Sequence, residues 1–528
     1  MTAPVRKIVI VAVSAVLFLA AAPPQTDDAT IAHVLNRLGY GARPGDIEKV
    51  RQVGVINYIE QQLHPERIPD GALEARLEPL TTLRVSQSAL AREYFVPAQQ
   101  AKRQQKQART QKENDDPAEG PKPVQRMQLS PALMKARQVI VELNEQKLLR
   151  ATYSERQLQE VLTDFWFNHF NVYAAKGADR QFLTAYERDV IRPNVLGSFG
   201  TLLGAVAHSP AMLFYLDNWM STDPNGLHLT GRDEMRQRTR TRMLGVMRPD
   251  LAEQIQQQQK TRPTGLNENY GRELMELHTL GVDGGYTQQD VVEVARAFTG
   301  WTIDRPRLGG EFKFDPRMHD PGEKHVLGHT IKAGGGESDG EQVLRILASH
   351  PSTAKFIATK LARRFVGDEP PPSLVNRAAK RFLDTKGDIR EVVRTIVESP
   401  EFFAPEAQRA KVKTPLEFVV SALRASSADV RSGIGLIRAL QQLGMPLYQA
   451  QPPTGYAESA DAWMNAGGLV NRMNFAVEYG GGVEANALGR SAIVVGWKFQ
   501  HMSNGYTSPL NPGLDVNMLY LGMLRRRH

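Results

Sequence analysis

A chain of 528 residues with 41% hydrophobic and 23% charged residues has the make-up of a soluble globular protein, long enough for a large core and, by length alone, two to four domains. Cysteine is absent, which excludes disulfides, a cysteine-linked lipid anchor, thiol nucleophiles and thiolate metal sites. The formal net charge of +8 suits acidic surfaces such as anionic polysaccharide or lipid headgroups.

The chain opens on Arg6 and Lys7, an apolar run from Ile8 to Leu19, and Ala20, Ala21 and Ala22 before Pro23-Pro24. A charged start, a short apolar stretch and a small-residue exit predict a secretory signal peptide over 1–22. The run falls short of the about 20 apolar residues that span a bilayer. Pro23 is an awkward first mature residue, so an uncleaved N-terminal anchor is the alternative. Export to the periplasm or beyond leaves nucleic acid out as a partner.

Short helices follow. Asp28 is placed to cap a helix carrying Ile31, Val34, Leu35 and Leu38, stopped by Gly39. Pro44 opens a second with Ile47 and Val50, ended by Gly54, and Val55, Ile56, Ile59 and Leu63 mark a third. Between Pro97 and Pro123 no aromatic or large aliphatic side chain breaks a run of Gln, Lys, Arg, Glu, Asn and Ala. Such a segment (about 97–126) cannot bury enough surface to repay its ordering, so it is a solvated helix extension or a disordered insertion. The Arg- and Gln-rich stretch 232–262 reads the same way.

In "LQEVLTDFWFNHF", Leu158, Val161, Leu162, Phe165 and His169 share one helix face. His169, beside Asn168, is either a hydrogen-bonded core histidine or a ligand. In "HSPAMLFYLDN", Ser209 caps, Pro210 opens the helix, and Met212, Leu213 and Leu216 turn inward. Asp217 and Asn218 at its end could cap or coordinate.

"LNENYGRELMELHTLGV" raises the sharpest question. A helix from Asn267 has Tyr270, Leu274, Met275 and Leu277 on its apolar side and Gly281 as its stop. Glu268, Arg272 and Glu276 stand four apart, an ion-pair ladder worth a few tenths of a kcal/mol per pair. Glu273 fits that explanation less well, at the edge of the buried stripe. The same residues could instead be catalytic or metal-binding. Thr287 and Asp290 have capping-box spacing, and the helix after them buries Val291, Val294, Ala295 and Phe298 before "TGWTI", making an αα-hairpin.

The best strand signal lies in "EFKFDPRMHDPGEKHVLGHTI", where Phe312–Phe314 and His325–Ile331 could pair as a hairpin about a Pro/Gly/Asp turn. His319, Asp320 and Lys324 fall in this loop, where polar residues gain a functional reading. His325 and His329 have zinc-pair spacing only on a helix, and this stretch reads as strand. Ala354, Ile357, Leu361 and Phe365 then form the inward face of a further helix. We expect no G-x-S-x-G elbow, P-loop, H-E-x-x-H or strand–helix G-x-G-x-x-G, which leaves common hydrolase, nucleotide and dinucleotide chemistries unsupported.

Together, "HVLNRLGYGARPGDIEKVRQVGV", "FWFNHFNV", "HSPAMLFYLDN", "NENYGRELMELHTLGVDGGYTQQDVVEVARAFTGWT", "HDPGEKHVLG", "HPSTAKFIATKLARRFV" and "KVKTPLEFVVSALRA" resemble an exported bacterial family, domain of unknown function 1800. The likeness runs from about His33 to Asn474; where the family has Gly-Trp, this chain has Gly455-Tyr456. The resemblance implies no particular reaction. It does imply a partner from a second exported family, domain of unknown function 1501, often encoded beside the first.

The expected fold is mainly α, a multi-helix globular array with a small β-hairpin near 311–331. Residues 23–479 form the family domain, and 480–528 extend the same unit. Two functions compete: an envelope or extracellular binding and assembly component for polysaccharide or a partner protein, and a metal-assisted, hydrolase-like enzyme with a helical pocket. The enzyme would draw on His169, Glu268, Arg272, Glu273, His319 and Asp320, with Asn168, Asp217, Asn218, Asn267, Trp301 and Lys324 as ligand contacts. A divalent cation is compatible with those carboxylates, though no specific motif calls for one. The sequence expectation is that the start of the Asn267 helix, His169 and the His319–Asp320 loop share one pocket.

Overall fold

In the computed structural model, which describes residues 27–115, 130–225, 265–430, 432–478, 481–488, 491–502 and 514–525, the chain is mainly α-helical, as its periodicities require. The segment 1–22, expected to be a signal peptide, and the stretch 232–262 lie outside the described residues. No helix among the described residues is long and apolar enough to cross a membrane.

The first helix spans Asp28–Arg37, and its cap is Asp27 rather than Asp28: the Asp27 carboxylate accepts from the Thr30 amide at 2.7 Å. Asp28 instead stands exposed in the first turn and pairs with Arg51. The basic, Gln-rich segment is the continuous helix Val96–Asp115 as far as described, and its Lys102, Arg103 and Lys106 are exposed. That is the solvated helix extension of the two readings. The Gln157–His169 and Pro351–Phe365 helices bury the expected faces, with Leu158, Leu162, Ala354, Ile357, Leu361 and Phe365 all fully inaccessible. These join one core that runs from Ile31 to Phe475. A π-helical turn, Tyr186–Ile191, places Glu187 in that core, where Tyr448 donates to it at 2.7 Å and Gln146 at 2.9 Å. Lys147 and Arg192 balance its charge at 3.7 and 3.4 Å.

The strands differ from expectation. Phe312–Phe314 (β2) pairs antiparallel not with the later stretch but with Trp301–Ile303 (β1), Thr302 opposite Lys313. Lys324–Val326 (β3) and His329–Ile331 (β4) form their own hairpin, His325 opposite Thr330. Its two-residue turn, Leu327-Gly328, has φ of 48° and 78°, the left-handed pair of a tight hairpin. The single expected hairpin is thus two ribbons, because "GWTI" ends the preceding helix as a strand. A third sheet was not foreseen. Gly481–Leu488 (β5), Ser491–Met502 (β6) and Leu514–Arg525 (β7) pair antiparallel in the order β5-β6-β7.

The αα-hairpin of Glu268–Glu276 and Gln288–Ala297 positions the candidate site. Its capping box is present: the Thr287 hydroxyl accepts from the Asp290 amide at 3.3 Å while the Asp290 carboxylate accepts from the Thr287 amide at 2.8 Å. The two helices touch through Gly271, where an added Cβ would lie 2.9 Å from the Val291 carbonyl oxygen and 3.1 Å from the Ala295 nitrogen. Gly271→Ala should therefore destabilise by about 1–3 kcal/mol in urea unfolding, despite alanine's better helix propensity. An unchanged midpoint would show that the helices can part at no cost.

Candidate functional site

The Glu268–Glu276 helix begins at Asn267, whose side chain accepts from the Tyr270 amide at 3.3 Å and donates to the Leu216 carbonyl at 2.7 Å. Glu268 and Arg272 do not form the expected ladder. Arg272 donates to Gln288 at 2.7 Å, and Gln288 in turn donates to Glu268 at 2.9 Å, so the neighbouring helix mediates the pair. Glu276 accepts from the Tyr286 hydroxyl at 3.0 Å. The helix ends at Glu276, ahead of Gly281, which takes φ +82° and lies where a Cβ would meet the Phe356 ring at 2.9 Å. Glu273 is half-buried, and among the described residues its carboxylate has no hydrogen-bond partner. Burial, and then the nearby Glu276, raise its pKa above the usual carboxylate range.

The segment 215–223 holds this helix to the rest. Asp217 adopts a left-handed conformation, φ +60°, and pairs with Lys176 at 2.7 Å. Asn218 is fully buried and donates to the Phe298 and Trp301 carbonyls at 3.1 and 3.2 Å. Trp301 is itself core, packed on Phe298 and Phe312 with its rings 4.8 and 5.1 Å from theirs.

His169 sits among Phe165, Trp166 and Phe170, and its Nε2 donates to the His278 carbonyl at 3.1 Å. Burial, and then the charge of Lys360, hold its pKa well below the ordinary value, and the same causes push His278 down to about 3. Both rings are neutral at any physiological pH. Asn168 clasps a single residue, donating to the Tyr456 carbonyl at 2.8 Å and accepting from its amide at 2.7 Å.

The 315–324 loop carries a third cluster. His319 Nδ1 meets the Thr299 carbonyl at 2.8 Å and Nε2 meets Asp339 at 3.1 Å. Lys324, with no exposed surface, donates to the Asp339 carboxylate at 2.7 Å and to the carbonyls of Asp320 and Gly322 at 2.6 and 2.8 Å. Its three protons are all used. Asp320 takes Arg296 in a two-point contact at 2.7 and 3.2 Å, and that pairing and the Gly322 amide hold its pKa below the usual range against the opposing effect of burial. Asp339, which completes this network from the start of the Glu337–Ser349 helix, gave no signal beyond an acid in a first turn.

Asp339 also belongs to a pattern that the sequence reading missed. Residues 336–340 spell Gly-Glu-Ser-Asp-Gly, which fits G-x-S-x-G. The geometry is not that of a nucleophile elbow. Ser338 is exposed and donates to the Gly335 carbonyl at 2.9 Å, its φ is not positive, and the nearby His319 turns its Nε2 to Asp339 instead. The glycines have structural reasons: Gly336 has φ +63°, and a Cβ on Gly340 would lie 2.6 Å from the Trp301 ring.

Thus segment 215–223 links Asn267, Asn218 and Trp301, whereas His169 keeps to His278, and His319, Asp320 and Lys324 keep to Asp339 and Arg296. Among the described residues no hydrogen bond joins the candidate side chains of one group directly to those of another, although the backbone ties segment 215–223 to the 315–324 loop, the Asp223 amide donating to the Met318 carbonyl at 2.8 Å. Among the described residues no three His, Asp or Glu side chains converge as metal ligands. Sequence reading also missed Asp179, which has no exposed surface and whose two carboxyl oxygens have no hydrogen-bond partner among the described residues. Burial pushes its pKa up to about 9. It lies in the "KGADR" turn, which has no pattern to mark a buried acid.

No curated protein and no solved structure matches the chain. A family model does match, over residues 33–514. The chain belongs to the family described as protein of unknown function DUF1800.

Proposed function

We propose that the protein is an exported, non-enzymatic binding and assembly component of the cell envelope, which engages acidic polysaccharide through its cationic surface. The observation that carries this reading is the Val96–Asp115 helix, where Lys102, Arg103 and Lys106 are exposed and have no acidic partner among the described residues. From Val96 to Lys112 the sequence holds five cations and no acid, Lys102, Arg103, Lys106, Arg109 and Lys112. Lys102 and Lys106 stand four residues apart, about one helical turn, on one side. The export expectation from residues 1–22 and the net charge of +8 fit the same partner. Two of the polar groups first considered for catalysis favour it too, since Asp320 and Lys324 spend their hydrogen bonds on the protein itself.

A partner from the family of domain of unknown function 1501 fits an assembly role. The enzyme alternative rests on Glu273, the half-buried carboxylate with a raised pKa and no partner among the described residues.

Equilibrium binding of the purified protein to polygalacturonate tests the proposal. Binding is expected at low ionic strength and should weaken strongly by physiological salt, because exposed charges are screened beyond about 8 Å there. No binding at low salt would refute it.

A further inference from the structure

A groove of about 300 Å³ opens where the Phe199–Ala207, Glu337–Ser349 and Pro372–Asp384 helices meet, far in sequence from every candidate residue above except the Asp339 helix that forms one wall. Its volume is at the low end of small-molecule sites, roughly 300–1,000 Å³. Leu344, Ala348, Phe382 and Leu383 give it apolar walls, and Leu383 is 42% exposed. Gly200 and Gly204 line it from one helix, four residues apart. A Cβ at Gly200 would rest 3.5 Å from Ala348, and one at Gly204 would meet nothing within 4 Å. Glycine inside a helix is unfavourable relative to alanine, and neither position needs it for a positive φ or to avoid a backbone clash. What glycine does at both is keep the groove open.

Charge distinguishes the rim. Arg345 and Lys386 line the groove, and among the described residues neither side chain has a hydrogen-bond or ion-pair partner. The rim carboxylate, Glu341, is already engaged by His208 at 3.2 Å. Lys386 is held at φ +54°, followed by Gly387 at +82°, a left-handed turn locked by the Gly387 carbonyl accepting from the Phe199 amide at 2.7 Å. The chain therefore fixes a lysine where asparagine or glycine would be the unstrained choice.

We propose that this groove binds a small amphiphile with one carboxylate head on a short alkyl chain. The alkyl chain would lie on the apolar walls against the two glycines, and the carboxylate would be taken by Arg345 and Lys386, which neutralise it while their partner-free state in the protein leaves no internal bond to break. The inference is independent of the polysaccharide reading, which concerns a different helix and a polymer.

The probe is octanoate, with octylammonium and acetate as controls, measured by calorimetry on the full chain below the micellar range. Octanoate is expected to bind and the two controls not, since one has the wrong charge and the other no chain. Gly204→Leu should fill the groove and weaken octanoate at least tenfold, with circular dichroism checking the fold. If that variant fails to fold, the exposed pair Arg345→Glu with Lys386→Glu decides, and it too should weaken octanoate at least tenfold. No octanoate binding, equal binding of octylammonium, or unchanged affinity in the variants would overturn the proposal. So would a dimer in sedimentation that Gly204→Leu converts to monomer, which would assign the groove to a second copy of the chain.

Discussion

Replacing Asp339 by alanine should destabilise the protein by about 3–5 kcal/mol, the cost of leaving a buried charge without its partner. Asp339 is the anion shared by Lys324 and His319, at 2.7 and 3.1 Å, and all three side chains are at most 4% exposed. Lys324 would keep its carbonyl contacts with Asp320 and Gly322 but lose its counter-charge in a site no water reaches. The loop carrying His319 would then detach from the Glu337–Ser349 helix, so the loss should appear as a lower midpoint in denaturant unfolding. Asp339→Asn, which keeps shape and one acceptor, should fall between. A loss below about 1 kcal/mol for the alanine variant would mean that the cluster is not structural, and would return His319 and Lys324 to the list of functional groups.

Asp179→Asn should have the opposite sign. With its pKa raised to about 9 in the folded protein against 3.8 ordinarily, Asp179 is protonated when folded and ionised when unfolded across that interval. A raised folded-state pKa gives a contribution fully present below the unfolded value and lost as pH rises toward 9, so stability falls by about 1.4 kcal/mol per pH unit in that range. At pH 7 the accumulated penalty is on the order of 4 kcal/mol. Asparagine has the same shape and no charge to suppress, so it should remove most of that penalty. Unfolding in urea at pH 5, 7 and 9 should show the variant's advantage growing with pH. An advantage that stays constant would place the effect in packing rather than ionisation.

These two acids show what could and could not be read from the sequence. Helix faces were legible because burial repeats every three to four residues, and Leu158, Val161, Leu162 and Phe165 declared themselves without reference to anything distant. Caps were nearly as clear: the Thr287–Asp290 box is written within four residues, and the error at Asp28 was one position between adjacent aspartates. Strand pairing was less legible, since Phe312–Phe314 alternates in the same way whichever neighbour it joins, and only three-dimensional proximity selects Trp301–Ile303. The site was the least legible. His319 reads as a loop histidine until Asp339, twenty residues on, closes the network, and Arg272 reads as a ladder partner until Gln288 intervenes. Asp179 shows no pattern, because an isolated buried acid makes none.

The proposed binding role places the contact on the Val96–Asp115 helix and not on the polar motifs of the interior. The most direct measurement compares polygalacturonate affinity at low salt for the wild-type chain, for Lys102→Glu with Arg103→Glu and Lys106→Glu, and for Glu273→Gln. The triple reversal should weaken binding by at least about tenfold, equivalent to about 1.4 kcal/mol, and Glu273→Gln should leave it unchanged. Affinity that survives the triple reversal, or that is lost with Glu273→Gln in a folded protein, would rule out binding through this helix.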